Sequence, residues 1–361
     1  MKMIIKFLTA AFFTGSILFE PLNACTGFKL QANDGSKVHG RTLEFAVDID
    51  SSVAVVPRGY EFVGTTPEGP GLKYKAKYGA VGVIAFNNPA IMDGINEKGL
   101  AVGTFYFPEY ASYSPITSKN QSKALSPIEF SNWILTQFAT LEEVKLALPK
   151  VVIAPTVNKD WGSTPPPFHY IVYDKKGNAL VIEPINEKLV AHDNSLGVIT
   201  NSPTFDWHMA NLRNYINLTP MNAKPIKLNN VELAPFGQGS GMVGMPGDFT
   251  PPSRFVRAAI YSATAIPTKS SEDAVFQAFH ILNQFDIPKG STRQKEQGTT
   301  HSDYTLVTTV RDPQTLKYYF KTYEDQDIKF VDLKAFDLNG TTIKQVNTDG
   351  RKRGTDISDS L

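Results

Sequence analysis

The chain has 361 residues, 42% of them hydrophobic, and carries 36 Lys and Arg against 35 Asp and Glu. That length suits one large domain or two smaller ones, with enough apolar residues for a substantial core. The balanced charge, with no basic block in the body of the chain, argues against nucleic acid as a partner.

The first segment reads as a secretory leader. Lys2 and Lys6 form a short basic region, Phe7 to Phe19 is largely apolar, Glu20-Pro21 breaks the run, and Ala24 puts a small residue before Cys25. The apolar run is too short to span a membrane. Residues 1–24 are therefore expected to be removed, leaving residues 25–361 as a single domain, periplasmic or secreted. Short apolar runs then alternate with turn signals up to Ala85, with strands expected at Val53–Val56 and Val81–Ala85. Ser126-Pro127-Ile128-Glu129 reads as a capping box opening a helix through Phe130–Phe138, and Thr140-Leu141-Glu142-Glu143 repeats the pattern. Phe168–Tyr173 and Ala179–Glu183 flank a turn and predict a hairpin. A helix is expected through Asp206–Tyr215, ordered loop over the Gly- and Pro-rich stretch Pro220–Pro252, and another helix at Glu272–Asn283. Tyr304–Val310 and Tyr318–Tyr323 predict a last hairpin, and a polar tail starts at about residue 348. Strands at both ends with helices between them indicate an α+β chain with antiparallel sheets.

Cys25 is the only cysteine, so a leftover thiol in an oxidising compartment needs a reason. Cleavage after Ala24 supplies one. It would leave a thiol and a free α-amine on the same residue. The amine has a reference pKa of roughly 7.7–8.0 and the thiol one of roughly 8.5. The amine can therefore take the proton from its own side chain, and no histidine base is required. The six histidines are scattered along the sequence. Leu22-Asn23-Ala24-Cys25 also resembles a lipobox, in which the cysteine would carry a lipid anchor. The N-terminus alone leaves both readings open.

Segments along nearly the whole chain resemble the choloylglycine hydrolases, which comprise bile salt hydrolases and penicillin V acylases. They are Cys25-Thr26-Gly27-Phe28, Gly40-Arg41-Thr42-Leu43-Glu44, Asn96 to Val102, Thr200 to Asp206, Asn211 to Tyr215, and Pro246-Gly247-Asp248 followed by Ser253 to Arg257. The resemblance implies an αββα sandwich of two antiparallel sheets and hydrolysis of a linear carboxamide through a thioester, with no metal or cofactor. Cys25 matches the nucleophile, and Arg41 matches an arginine beside it. Glu44 falls where the family usually has aspartate, the acid that orients the terminal amine. On a strand, positions 41 and 44 face opposite sides, so a bend is expected if both are to reach Cys25. Asn201 matches a side-chain oxyanion donor, Tyr106 a backbone one, and Arg254 a second active-site arginine. Tyr106 stands where penicillin V acylases tend to carry tyrosine and bile salt hydrolases asparagine. The implied substrate is a small N-acyl amide with a bulky apolar acyl part: penicillin V, a conjugated bile salt or an N-acyl homoserine lactone. The stretch Asn214–Asp248 is about as long as the loop exchanged between subunits in tetrameric relatives, which points to a homotetramer. Two alternatives stay open, a lipid-anchored binding protein of the same fold and a member made inactive by Glu44.

Overall fold

The computed structural model describes residues 24–296, 298–348, 350 and 358. The expected leader lies outside them except for Ala24, as does most of the polar tail. Two antiparallel sheets lie face to face. The smaller has five strands, β1 (Thr26–Gln31), β2 (Lys37–Phe45), β10 (Tyr304–Asp312), β11 (Lys317–Thr322) and β12 (Lys329–Asp332), side by side in the order 1-2-10-11-12. The larger has eight strands: β3 (Ser52–Val56), β4 (Ala80–Ile84), β5 (Asp93–Asn96), β6 (Ala101–Tyr106), β7 (Phe168–Tyr173), β8 (Ala179–Ile185), β9 (Lys188–Asp193) and β13 (Lys344–Asn347). Their order is 9-8-7-6-5-4-3-13.

Helices cover both outer faces. α1 (Phe130–Gln137) packs on β5 and β6 of the larger sheet, and α2 (Leu141–Ala147) follows it. α4 (Pro251–Thr264) and α5 (Ser271–Leu282) cover β1, β2 and β10 of the smaller, with α3 (Phe205–Leu212) beside α4. The result is the αββα order the resemblance implies. Strands such as β4 and β6 are buried along their whole length, because one face meets helices and the other meets the opposite sheet. That explains why they read as continuous apolar runs rather than alternating ones.

Most expected elements are present within a residue or two. Two differ. The capping box at Ser126 is only half made. Glu129 Oε2 accepts the Ser126 N–H at 2.8 Å, but the Ser126 hydroxyl has no partner among the described residues and the α-helix starts at Phe130. The second difference is larger. The loop expectation for Pro220–Pro252 misses a short hairpin, Ile226–Leu228 paired with Val231–Leu233, and Pro251 opens α4, the longest helix among the described residues. Proline at the first helical position lacks only an N–H that has no intrahelical acceptor, so Pro251-Pro252 starts a helix here instead of preventing one.

Candidate active site

Cys25 sits at the entrance to β1. One edge of β1 pairs with β2, Thr26 opposite Thr42 and Gly27 opposite Arg41. Along its other edge runs the segment Ile199–Asn201. Gly27 N–H donates to Ile199 O at 2.8 Å, and Ile199 N–H returns a bond to Gly27 O at 3.0 Å. Gly27 has to be glycine, because a Cβ there would stand 2.8 Å from the Phe105 ring. This bridge brings Asn201 alongside Cys25.

Cys25 N–H donates to Asn201 Oδ1 at 2.8 Å. Arg254, from the first turn of α4, donates Nη2 to the same oxygen at 2.7 Å. Its Nη1 reaches Cys25 O and, at 2.9 Å, Thr26 Oγ1, while Nε holds Phe249 O at 2.8 Å. The buried arginine therefore clamps the Cys25 backbone to Asn201. The Asn201 amide nitrogen, the expected oxyanion donor, here meets Tyr106 O at 2.8 Å. Phe107 N–H binds Pro167 O on the β7 side. By antiparallel alternation the N–H and C=O of Tyr106 both point to the other edge, toward Asn201. Both expected oxyanion groups are thus at one place.

Arg41 is fully buried between the sheets. Its Nη1 donates to Thr104 O at 2.7 Å, and its guanidinium carbon lies 4.3 Å from the Phe105 ring centre. Asp93 stands 3.9 Å from the same nitrogen and is itself held by Arg311, Thr309 and Tyr318. Burial pushes the Cys25 thiol up, and Arg41 is the strongest influence opposing that shift.

The bend expected between Arg41 and Glu44 is absent. Gly40 faces Leu282 of α5, whereas His39 stacks on Tyr173 of the opposite sheet at 4.2 Å. β2 keeps the simple alternation of a strand. Arg41 faces the sandwich interior, and Glu44 faces the helix layer, where its Oε1 accepts from Thr305 Oγ1 at 2.9 Å. The bulge in this region lies in β10 instead, between Thr305 and Val307. Glu44 still bears on the site. Burial raises its carboxyl to about 8, against the pull of Arg254 and the Thr305 hydrogen bond. Its charge in turn raises the Cys25 thiol.

An aromatic wall adjoins these groups. Phe45 meets Tyr106 and Trp161 edge-on at 6.4 and 5.3 Å, and Trp161 meets Phe86 and Phe168 at 5.3 and 5.4 Å. Sequence reasoning missed Trp161 and Phe86. The one signal was a tryptophan inside a proline- and glycine-rich loop. Among the described residues no group of three His, Cys, Asp or Glu side chains could hold a metal ion, and no helix is long and apolar enough to cross a membrane.

A lone cysteine at the start of an αββα sandwich has the layout of the N-terminal-nucleophile hydrolases. The family described as linear amide C–N hydrolases, choloylglycine hydrolase family, matches residues 25–346. The chain is 36% identical to the bile salt hydrolase/transferase of Clostridium perfringens, over 89% of this chain and 95% of that one. It is 26% identical to the penicillin V acylase of Pectobacterium atrosepticum, over 87% and 82% of the two chains. A solved variant of the conjugated bile acid hydrolase from Clostridium perfringens superposes with a TM-score of 0.81 at 32% identity, covering 92% of this chain and all of that one. The penicillin V acylase from Agrobacterium tumefaciens does so at 0.73, with 25% identity and coverage of 90% and 91%. The chain belongs to the choloylglycine hydrolase family and is a linear amide C–N hydrolase.

Proposed function

We propose that the chain, freed of its leader before Cys25, hydrolyses an N-acyl amide with a bulky apolar acyl group. The observation that carries this reading is the grip of Asn201 and Arg254 on Cys25, next to a wall of aromatic rings. The freed amine takes the thiol proton, and the thiolate sulfur attacks the amide carbon. Asn201 Nδ2 and the Tyr106 N–H stabilise the oxyanion, for which Nδ2 exchanges its bond to Tyr106 O. Collapse breaks the C–N bond, and the leaving amine takes the proton from the α-ammonium. Water then attacks the thioester, releasing the carboxylic acid and restoring the thiol. Charge appears on the oxygen only as the bond forms, so these donors act mainly on kcat. Arg41 favours thiolate over thiol, and Glu44 stabilises the charged amine.

Within that class, Tyr106 and the ring wall favour a flat aryl acyl group, as in penicillin V, since rings pack edge-to-face on such walls. The test compares kcat/KM for penicillin V, a glycine-conjugated bile salt and an N-acyl homoserine lactone. Highest efficiency with penicillin V supports the aryl preference. Preference for the bile salt keeps the hydrolase and removes the aryl preference. No turnover of any of the three, with a lipid on Cys25 by mass spectrometry, favours the anchored binding protein. The same reading makes the enzyme periplasmic or secreted.

A further inference from the structure

Three of the six histidines, far apart in the chain, converge behind Asn201. Glu183 on β8 is fully buried and stands next to His169 on β7, because Tyr170 is registered with Ile182. Glu183 Oε1 accepts the Phe205 N–H at 2.9 Å and lies 3.5 Å from His169 Nδ1, while Oε2 lies 3.4 Å from His192 Nε2. The far nitrogen of His169, Nε2, is 3.1 Å from Thr200 O. A carbonyl only accepts, so this nitrogen carries a proton, and the other one faces a carboxylate. The two are 3.5 Å apart and make no hydrogen bond, so Glu183 acts on the ring through its charge. From α3, His208 reaches back with Nε2 2.9 Å from Asn201 O. Burial holds His208 down at about 4, so it donates as the neutral ring. Both rings are locked by stacking, His169 on Phe107 at 4.3 Å and His208 on Phe255 at 4.6 Å.

Each imidazole N–H thus holds a carbonyl, one on each side of the Asn201 Cα. We propose that Glu183, His169 and His208 are positioning residues that fix the Thr200–Asn201 backbone and so set the Asn201 amide against Cys25. This rests on the reading that Asn201 serves the reaction at Cys25. The physical reason is lever-like. The side-chain amide takes its place from its own Cα, and its bonds to Cys25, Tyr106 and Arg254 leave little room for a shift.

The experiment is a double-mutant cycle on the mature enzyme, with kcat expressed per Cys25 thiol acylated in a substrate burst so that misfolded protein is not counted. His208→Phe keeps a stacking ring and removes the N–H. Glu183→Gln keeps an acceptor for Phe205 and removes the charge that acts on His169, and it serves if His208→Phe does not fold. Each is expected to lower kcat by up to about 10²-fold with KM within about threefold, the cost of a misplacement near 1 Å. Each is expected to have almost no further effect in an Asn201→Ala background, because the group it positions is gone. His169→Gln, which retains an N–H donor, is expected to recover part of the loss seen in His169→Phe. Unchanged kcat per thiol, or the same loss in both backgrounds, would overturn the proposal. If Asn201→Ala alone leaves kcat untouched, it is the parent reading that fails.

Discussion

Cys25 is buried, and burial alone would keep its proton on sulfur. Arg41 and Arg254 oppose that, and the residues around the thiol are individually testable. Cys25→Ala is expected to remove turnover by several powers of ten, and Cys25→Ser nearly as much, since a hydroxyl is the weaker nucleophile. Asn201→Ala is expected to lower kcat by roughly 10²–10³ with KM little changed. Raised KM with normal kcat would make Asn201 a binding or turn residue. Glu44 gives two signatures. In the chain that retains Ala24, its carboxyl, raised to about 8, lies above the ordinary 4.5. A raised acid contributes stability that is fully present below the unfolded value and is lost as pH rises through the folded one. The melting temperature of Glu44→Gln relative to its parent should therefore climb between about pH 4.5 and 8. In the mature enzyme the nearby ammonium stabilises the carboxylate, and the carboxylate stabilises the ammonium. Glu44→Gln should then cut kcat and move the acidic limb of the pH–rate profile down, while Glu44→Asp keeps activity. Asp303, raised by burial to about 7 with Arg254 opposing, titrates in the same range, so Asp303→Asn is the control. An unmoved limb with normal kcat in Glu44→Gln would leave Glu44 a structural acid.

Among the elements, the two helix starts read alike in sequence but are built differently. Thr140 caps α2, its hydroxyl accepting the Glu143 N–H at 3.2 Å. Thr140→Ala should cost about 1 kcal/mol by chemical denaturation. Ser126 makes no such bond, so Ser126→Ala should be nearly neutral. Glu129→Ala should cost more than either, since Glu129 holds Ser126 N–H and the N–H and hydroxyl of Thr65. Equal losses at Thr140 and Ser126 would contradict this. Local pattern also explains what could be read from the chain. Hairpins, capped helices and the motif residues lie in short segments whose signals are their own. α4 was hidden because a proline pair carries opposite meanings at a helix start and inside a helix. The histidine cluster was hidden because β-register, not sequence spacing, sets His169 beside Glu183. The opposite facing of Arg41 and Glu44 followed from strand alternation alone, and the bend posited to undo it does not occur.

At the scale of the whole molecule, Ile226–Leu228 and Val231–Leu233 form an exposed hairpin. Ile226, Leu228, Val231, Leu233 and Phe236 are all exposed there. If copies of the chain assemble as the length of Asn214–Asp248 leads us to expect, this arm is the surface expected to join them. Leu228→Lys with Val231→Lys should yield monomers by light scattering while leaving Cys25 titratable, and an unchanged mass would remove the arm from the assembly. Maturation is the other property of the entire chain. A form that keeps residues 1–24 attached should fold yet fail to turn over substrate. The most direct test of the central claim is intact-mass spectrometry of the active enzyme, acid-quenched during turnover of its best N-acyl substrate. The account predicts a chain that begins at Cys25 and carries one acyl group on that residue. A fully active chain that retains Ala24, or turnover that persists in Cys25→Ala with no acyl adduct, would contradict it.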